Sequence, residues 1–356
     1  MKKMFANKIL SYIRGLSKEL MTWMIMMLNK YPIELGLTRS QKILIKDFNS
    51  KISAGEVDLE IHPCIICGEH RPILIFENDS WGISNKTCYC EKCGLVYTNP
   101  RMSEDCQNEF YTSDTYRQIY EPKTEMSSHI LKAQEKVSII RAAWGKKCGK
   151  KGIWFLDELL MNANIQDMKS ICEIGSGSGA NLIPFIDSGI NCYGVELSPS
   201  LIEFSETLGV LGTYKTIDDI NKNFDIILMI HSLEHMYDPI KTIKKLRKHT
   251  KKFLVVEIPG IVNRVSHVVN AHNFYFSTQT LQALMAGCGF KCVSIQTNPK
   301  NNFILGIFEP SEIFAYEFSY KENLKILRNN IVKQKTFNIV PIFIKRVLGS
   351  LFKSSG

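Results

Sequence analysis

Three groups of residues in this chain have the types and spacing to do chemistry. The first is four cysteines: Cys64-x-x-Cys67 and Cys90-x-x-Cys93 stand 22 residues apart, and Gly68 and Gly94 follow the two pairs. Two such pairs can close a tetrahedral thiolate site around zinc. With every ligand a thiolate there is no open position for catalysis, so the site's work is to fold a module too short to hold a core alone. Cys88 lies near enough to compete but lacks the x-x spacing to Cys90 and ranks below the four. The second group is the run Ile-Cys-Glu-Ile-Gly-Ser-Gly-Ser-Gly-Ala at 171–180, and the third is His231-Ser232-Leu233-Glu234-His235.

The glycine run reads as a ligand loop. Gly175, Gly177 and Gly179 let the backbone take positive φ and let a ligand lie where a Cβ would collide. A pyrophosphate site wants Gly-x-Gly-x-x-Gly at a helix N-terminus. Here the third glycine comes one residue early and the carboxylate of Glu173 precedes the turn, which disfavours an anion. S-adenosylmethionine, with an ammonium and a sulfonium but no phosphate, suits it. Glu196 falls 21 residues beyond Gly175, where sheets of this kind place the carboxylate that accepts the ribose hydroxyls, and Leu197 lies beside it.

The third group matches H-x-x-E-H, a zinc-peptidase signature. A peptidase needs both histidines on one helix. Here they follow the apolar run Phe224 to Ile230 and precede an Asp238-Pro239 helix start, so they form a strand-end loop. In open α/β sheets the ligand crevice lies outside such strand ends.

The elements that must carry these groups alternate. Ile171 to Ile174 is a first strand, Asn181 to Ser188 a helix, and Ile190 to Val195 a second strand; Ser198-Pro199 then supplies a helix cap and first turn. Phe224 to Ile230 and Phe253 to Ile258 read as the fourth and fifth strands, with Phe290 to Ile295 and Phe303 to Phe308 as a terminal pair. Ser277 suits the cap of a helix over Thr278 to Ala286, and Ile73 to Phe76 and Trp81 to Thr87 as short strands between the cysteine pairs. Glu173, the three glycines, Glu196, Phe224 to Ile227 and Leu233-Glu234-His235 together resemble class I S-adenosylmethionine-dependent methyltransferases over roughly residues 150 to 310.

That resemblance implies an α/β fold: a Rossmann-like, seven-stranded, mostly parallel sheet with helices on both faces. To it the chain adds a small N-terminal zinc-ribbon module and helical flanks. It also implies an adenine contact at Asp218 or Asp219. The order of zinc knuckle, Cys93-Gly94-Leu95-Val96-Tyr97, Asn99-Pro100-Arg101, Tyr111 and Tyr116-Arg117 resembles the head of bacterial methyltransferases of surface-polysaccharide and modified-sugar pathways. It implies that Tyr97, Arg101, Tyr111, Tyr116 and Arg117 face substrate, with His272 and Tyr275 near its mouth. His235 matches the base proposed in sugar C-methyltransferases, and His231 is the runner-up. Related quinone-pathway enzymes place two glutamates and a histidine here for a metal; this chain has His231 in place of the first glutamate.

The domains expected are an amphipathic helical segment at 1–55, a zinc-ribbon head at 56–121, a helical connector at 122–165, the methyltransferase domain at 166–310 and a basic helical tail at 311–356. The 356 residues carry a formal net charge of +9. The basic residues gather in Lys241 to Lys252 and in the tail from Lys321, which is not a nucleic-acid footprint. With no run of about 18 apolar residues and no signal-peptide pattern, a cytoplasmic protein is expected. Phe5, Ile9, Ile13, Leu16, Leu20, Met24 and Met27 form one apolar stripe, which reads as a packed helix with an interfacial membrane helix as the alternative. Residues 338–353 read equally as a basic amphipathic helix at a membrane surface or as a disordered or packed tail, so contact at the inner membrane face is open for both ends. The acceptor expected is a nucleotide-activated sugar or glycan precursor. An RNA methyltransferase is second, lacking an Asn/Asp-Pro-Pro-Tyr motif, and a non-catalytic zinc scaffold third.

Overall fold

The computed structural model describes residues 37–113, 115–120, 134–141, 159, 167–260, 268–298, 303–321 and 323. The amphipathic stripe of residues 5–27 and the tail at 338–353 lie outside the described residues.

The central sheet has seven strands: β6 (Ser170–Ile174), β7 (Asn191–Val195), β8 (Gly212–Tyr214), β9 (Phe224–Ile230), β10 (Thr250–Pro259), β12 (Phe290–Thr297) and β13 (Phe303–Pro310). They lie in the order β12-β13-β10-β9-β6-β7-β8. The first five run parallel, and β13 is antiparallel to both β10 and β12. The apolar run Ile226 to Ile230 of β9 follows from burial on both faces. Ile227 and Met229 enter one core, and Ile226 and Leu228 enter the other, as a two-residue period requires; Phe224, at the start of the strand, departs from the period and joins the first.

The strand order reverses at β6. The chain moves outward from β6 through β7 to β8, then returns to lay β9 against the other side of β6. The ends of β6 and β9 therefore flank a topological switch point, where such sheets hold ligands. The helices opening nearby have distinct caps. Asp238 accepts from the Lys241 amide at 2.9 Å to start the helix Pro239–His249, and Ser277 accepts from the Thr280 amide at 3.1 Å to start Thr278–Ala286. Ser198 occupies the cap position before Pro199–Thr207 but makes no cap bond there. Glu196 takes the Leu197 and Ser198 amides in its place, each at 2.9 Å.

The head is an antiparallel ribbon of β2 (Pro72–Asn78), β3 (Ser84–Cys90) and β4 (Val96–Thr98), with β1 (Leu59–Glu60) paired to β5 (Arg101–Met102). Its fourth strand, β11 (Phe274–Tyr275), comes from the region read as methyltransferase domain: Phe274 pairs with Tyr97 and Tyr275 with Val96. Cys64, Cys90, Cys93, Leu95 and Tyr97 share a hydrophobic core with Phe274, Phe276 and the central sheet. The ribbon is thus built into the larger domain. Helix α1 (Arg39–Ala54) covers its other side, packing Ile45 and Phe48 against Ile83, Met102 and Phe110. Among the described residues no helix is long and apolar enough to cross a membrane.

Candidate active site

Two clusters of ligand-bearing side chains stand out. In the head, Cys64, Cys67, Cys90 and Cys93 bring their sulfurs within 4.8 Å of one another, with Cys64 to Cys93 at 3.5 Å and Cys67 to Cys90 at 3.4 Å. Tetrahedral sites with sulfurs about 2.3 Å from zinc have such spacings. Each pair sits on the same turn. The Gly68 and Gly94 amides donate to the Cys64 and Cys90 carbonyls at 2.8 Å, and both glycines take positive φ. The four thiols therefore fit Zn²⁺. Cys88 is buried apart from them with its sulfur 3.5 Å from the Asn99 carbonyl.

At the switch point, the loop after β6 carries Gly175, Gly177 and Gly179 at φ of 69°, 53° and 73°. A Cβ on Gly175 would meet Ser232 at 3.1 Å, while one on Gly177 would enter open space. That opening is the cradle a ligand can fill. Below it Glu173 is fully buried; one carboxylate oxygen accepts from Asn181 at 2.6 Å and the other has no hydrogen-bond partner. Burial pushes its pKa up to about 7, against the Asn181 bond and the Lys136 charge, which favour the anion. A buried carboxyl with an unpartnered oxygen beside an open glycine turn suits a cationic ligand such as S-adenosylmethionine. Glu196, half-buried, also accepts from the Gly177 amide at 2.9 Å and so ties the loop to the end of β7. Leu197 is exposed next to it. Asp219 is occupied by Thr216 in a local capping box, and exposed Asp218 pairs with Lys245.

The loop after β9 holds the histidines. His235 Nδ1 lies 2.9 Å from the Ala271 carbonyl and 2.7 Å from the Tyr111 hydroxyl, which itself donates to Ala271 at 2.9 Å. A carbonyl can only accept, so Nδ1 carries the proton and Nε2 of the neutral ring is left with its lone pair. Nε2 stands 4.0 Å from Glu234, which is buried and has no hydrogen-bond donor on either oxygen. The His272 ring meets His235 edge-on at 4.7 Å. Glu234, His235 and His272 offer ligand atoms within 4.8 Å of one another, close enough to hold a cation as well.

His231 differs. It takes a left-handed φ of 53° and lies between two carboxylates, 3.5 Å from Glu234 and 3.3 Å from Glu257. Burial opposes its charge, but the two glutamates outweigh it and raise the pKa to about 9. It is a cation at neutral pH and has no lone pair to accept a proton. The runner-up base is thus a counter-charge for Glu234.

The candidate substrate residues separate. Tyr111 and His272 reach His235. Tyr97 is 1% exposed and packs beside the cysteines, because it pairs with β11 inside the shared core. Tyr275 is equally buried: its hydroxyl donates to the Val269 carbonyl at 3.1 Å and accepts from the Val269 amide, closing a loop. Arg101 is buried between the rings of Tyr237 and Phe274. The helix Thr115–Tyr120 carries Tyr116 and Arg117, whose side chains lie outside the described residues. Sequence reasoning missed Gln107 and Asn273. Gln107 donates to the His235 carbonyl at 2.7 Å and accepts from Asn273 at 2.6 Å, and Asn273 also reaches the Met236 carbonyl. Nothing local marks either residue. Glu234 did carry a signal, a carboxylate directly before a strand-end histidine.

Residues 152–295 match the family described as a methyltransferase domain. Among solved structures, the chain is similar to one in the complex between the Haloferax volcanii Trm112 methyltransferase activator and a methyltransferase. That match has 12% identity and a TM-score of 0.41, over 53% of this chain and 96% of the other. A Thermotoga maritima S-adenosylmethionine-dependent methyltransferase matches at 22% identity and a TM-score of 0.36, over 44% and 89%. Magnesium protoporphyrin IX methyltransferase of Synechocystis PCC 6803 with bound SAH matches at 14% and 0.38, over 58% and 97%. No curated protein matches the chain. The family match, the strand order and the glycine loop define a class I S-adenosylmethionine-dependent methyltransferase domain.

Proposed function

We propose that this protein methylates a nucleotide-activated sugar or a surface-glycan precursor, with His235 as the base and zinc held by the four cysteines as a structural ion. The observation that carries the reading is the placement of His235 Nδ1 against the Ala271 carbonyl and the Tyr111 hydroxyl, at the strand end beside the glycine loop. S-adenosylmethionine, when bound, supplies a methyl group on a sulfonium that is already a good leaving group. The chain's own residues must then align the acceptor and take its proton. Nε2 of His235 receives that proton, and Glu234 at 4.0 Å offers the new imidazolium an anion. His231, a cation between Glu234 and Glu257, keeps the buried carboxylate charged and in place. Glu173 faces the positive end of the cofactor, and Glu196 the ribose.

The zinc-knuckle, Asn-Pro-Arg and tyrosine order supports a sugar-type acceptor. We place the enzyme in the cytoplasm, with its two terminal segments as the candidates for membrane contact. The test is methyl-labelled S-adenosylmethionine offered with three pools from the host: small nucleotide sugars, membrane glycolipids and total RNA. Label in either of the first two is expected. Label in RNA would replace the acceptor class, and label in none with S-adenosylmethionine still bound would favour a zinc scaffold.

A further inference from the structure

A second concave site lies behind the loop that carries His272. A cavity of about 200 Å³ opens between the head and residues 270–273, with Arg101, Asn85 and Asn270 in its lining, Lys86 as an exposed residue of that lining, and Phe48 and Met102 among its apolar walls. Arg101 is 4% exposed, Asn85 4% and Asn270 7%. Each has buried nitrogens with no hydrogen-bond partner: Nε and Nη1 of Arg101, and Nδ2 of both asparagines. A buried donor left unmade costs about 1–3 kcal/mol, and more when charged, so three together call for an acceptor.

Arg101 fixes the sign of that acceptor. An asparagine amide can present either end, but a guanidinium has donors only and keeps its proton. The Tyr237 and Phe274 rings lie 5.1 Å from its central carbon and engage the face of the cation, which leaves its in-plane N–H edges for a ligand. Among the described residues no carboxylate oxygen comes within 4.0 Å of it; of the two acids whose charge reaches it, Asp238 caps a helix through the Lys241 amide and Glu60 is bonded to Tyr237 and His62.

We propose that this cavity is an oxyanion subsite that takes a phosphoryl group, held by Arg101, Asn85 and Asn270 with Lys86 at its entrance. Its volume holds a phosphoryl group but falls below the range of about 300–1,000 Å³ that encloses a whole drug-sized ligand. Bound there, the oxyanion links Arg101 and Asn85 of the head to Asn270, the residue before the Ala271 carbonyl that sets the His235 tautomer. That the phosphoryl group arrives on the acceptor rests on the function proposed above; that the cavity binds one does not.

The experiment is calorimetric titration of inorganic phosphate into the full-length, zinc-loaded protein. Saturable binding at one site is expected, weakened at least about tenfold in Arg101→Gln by loss of a charge-assisted bond. The exposed Lys86→Glu replaces an attracting charge with a repelling one and weakens binding while zinc content and S-adenosylmethionine affinity stay unchanged. It decides the matter if Arg101→Gln fails to fold. No saturable binding, or equal binding in a folded variant, overturns the site. Uridine diphosphate is then titrated against bound phosphate. Competition supports delivery on the acceptor, and lack of competition overturns that clause while the site stands. Failure of the glycan reading would show instead as label in RNA, which the phosphate titration does not read.

Discussion

The cysteine cluster and the histidine cluster are both sets of ligand atoms held within 4.8 Å, yet they are held by opposite kinds of contact. Each half of the cysteine site is made locally: a C-x-x-C-G turn closes on itself through one amide at 2.8 Å, so the spacing of the letters already contains the geometry. The histidine site is assembled from afar. His235 is positioned by Tyr111, 124 residues away, and by Ala271, 36 residues away, while its carbonyl is held by Gln107, 128 residues away. The first arrangement is complete within two short turns and suits a metal, and the second needs the whole fold in register.

The largest effect expected follows from that difference. Cys64→Ser or Cys93→Ser removes the zinc, whose binding in small modules contributes about 10–16 kcal/mol of folding free energy. Elemental analysis should show the metal gone, and hydrogen exchange should show residues 60–100 unprotected. Full zinc content with unchanged protection would refute the site. Next comes His235→Gln, for which kcat should fall by about 10²–10⁴ with S-adenosylmethionine affinity intact by calorimetry. A loss confined to KM would remove His235 from the proton transfer.

Glu196→Ala should weaken S-adenosylmethionine binding by more than about tenfold, since it removes both a ribose acceptor and the tie to the Gly177 amide. Unchanged affinity would remove that role. Tyr111→Phe keeps the ring and deletes the hydroxyl on His235. It should lower kcat by roughly tenfold and leave KM nearly unchanged, whereas a substrate-binding tyrosine would raise KM.

The smallest effect is a pH dependence. Burial raises the Glu173 pKa to about 7, so the unliganded protein loses stability as pH rises from the ordinary carboxylate range through about 7. A cationic ligand favours the ionised form. S-adenosylmethionine affinity should therefore rise with pH through about 7, until the ligand's own α-amino group titrates near 8. Glu173→Gln should flatten that rise, and a slope equally steep in the variant would assign it elsewhere.

Much of the fold was legible because its signals are local. The apolar run of β9, the positive-φ glycines and the Asp238 and Ser277 caps each follow from a few adjacent residues. The fourth strand of the head was not, since Phe274–Tyr275 pairs with a segment nearly 180 residues earlier. The candidate site divides in the same way. Glu173 and the glycines lie where the pattern put them. Tyr97 and Tyr275 turn inward because strand pairing, which the pattern does not contain, seals them in the core. His231 became a counter-charge only when β10 brought Glu257 alongside it.

The central claim is that the head sets the tautomer of the base, and nitrogen-resolved NMR of ¹⁵N-histidine-labelled protein reads this without knowledge of the acceptor. The neutral His235 ring should carry its proton on Nδ1 and show a bare Nε2, and Tyr111→Phe should loosen that preference. A proton on Nε2 in the wild-type protein would contradict the account, because that nitrogen would then have no lone pair to offer the acceptor.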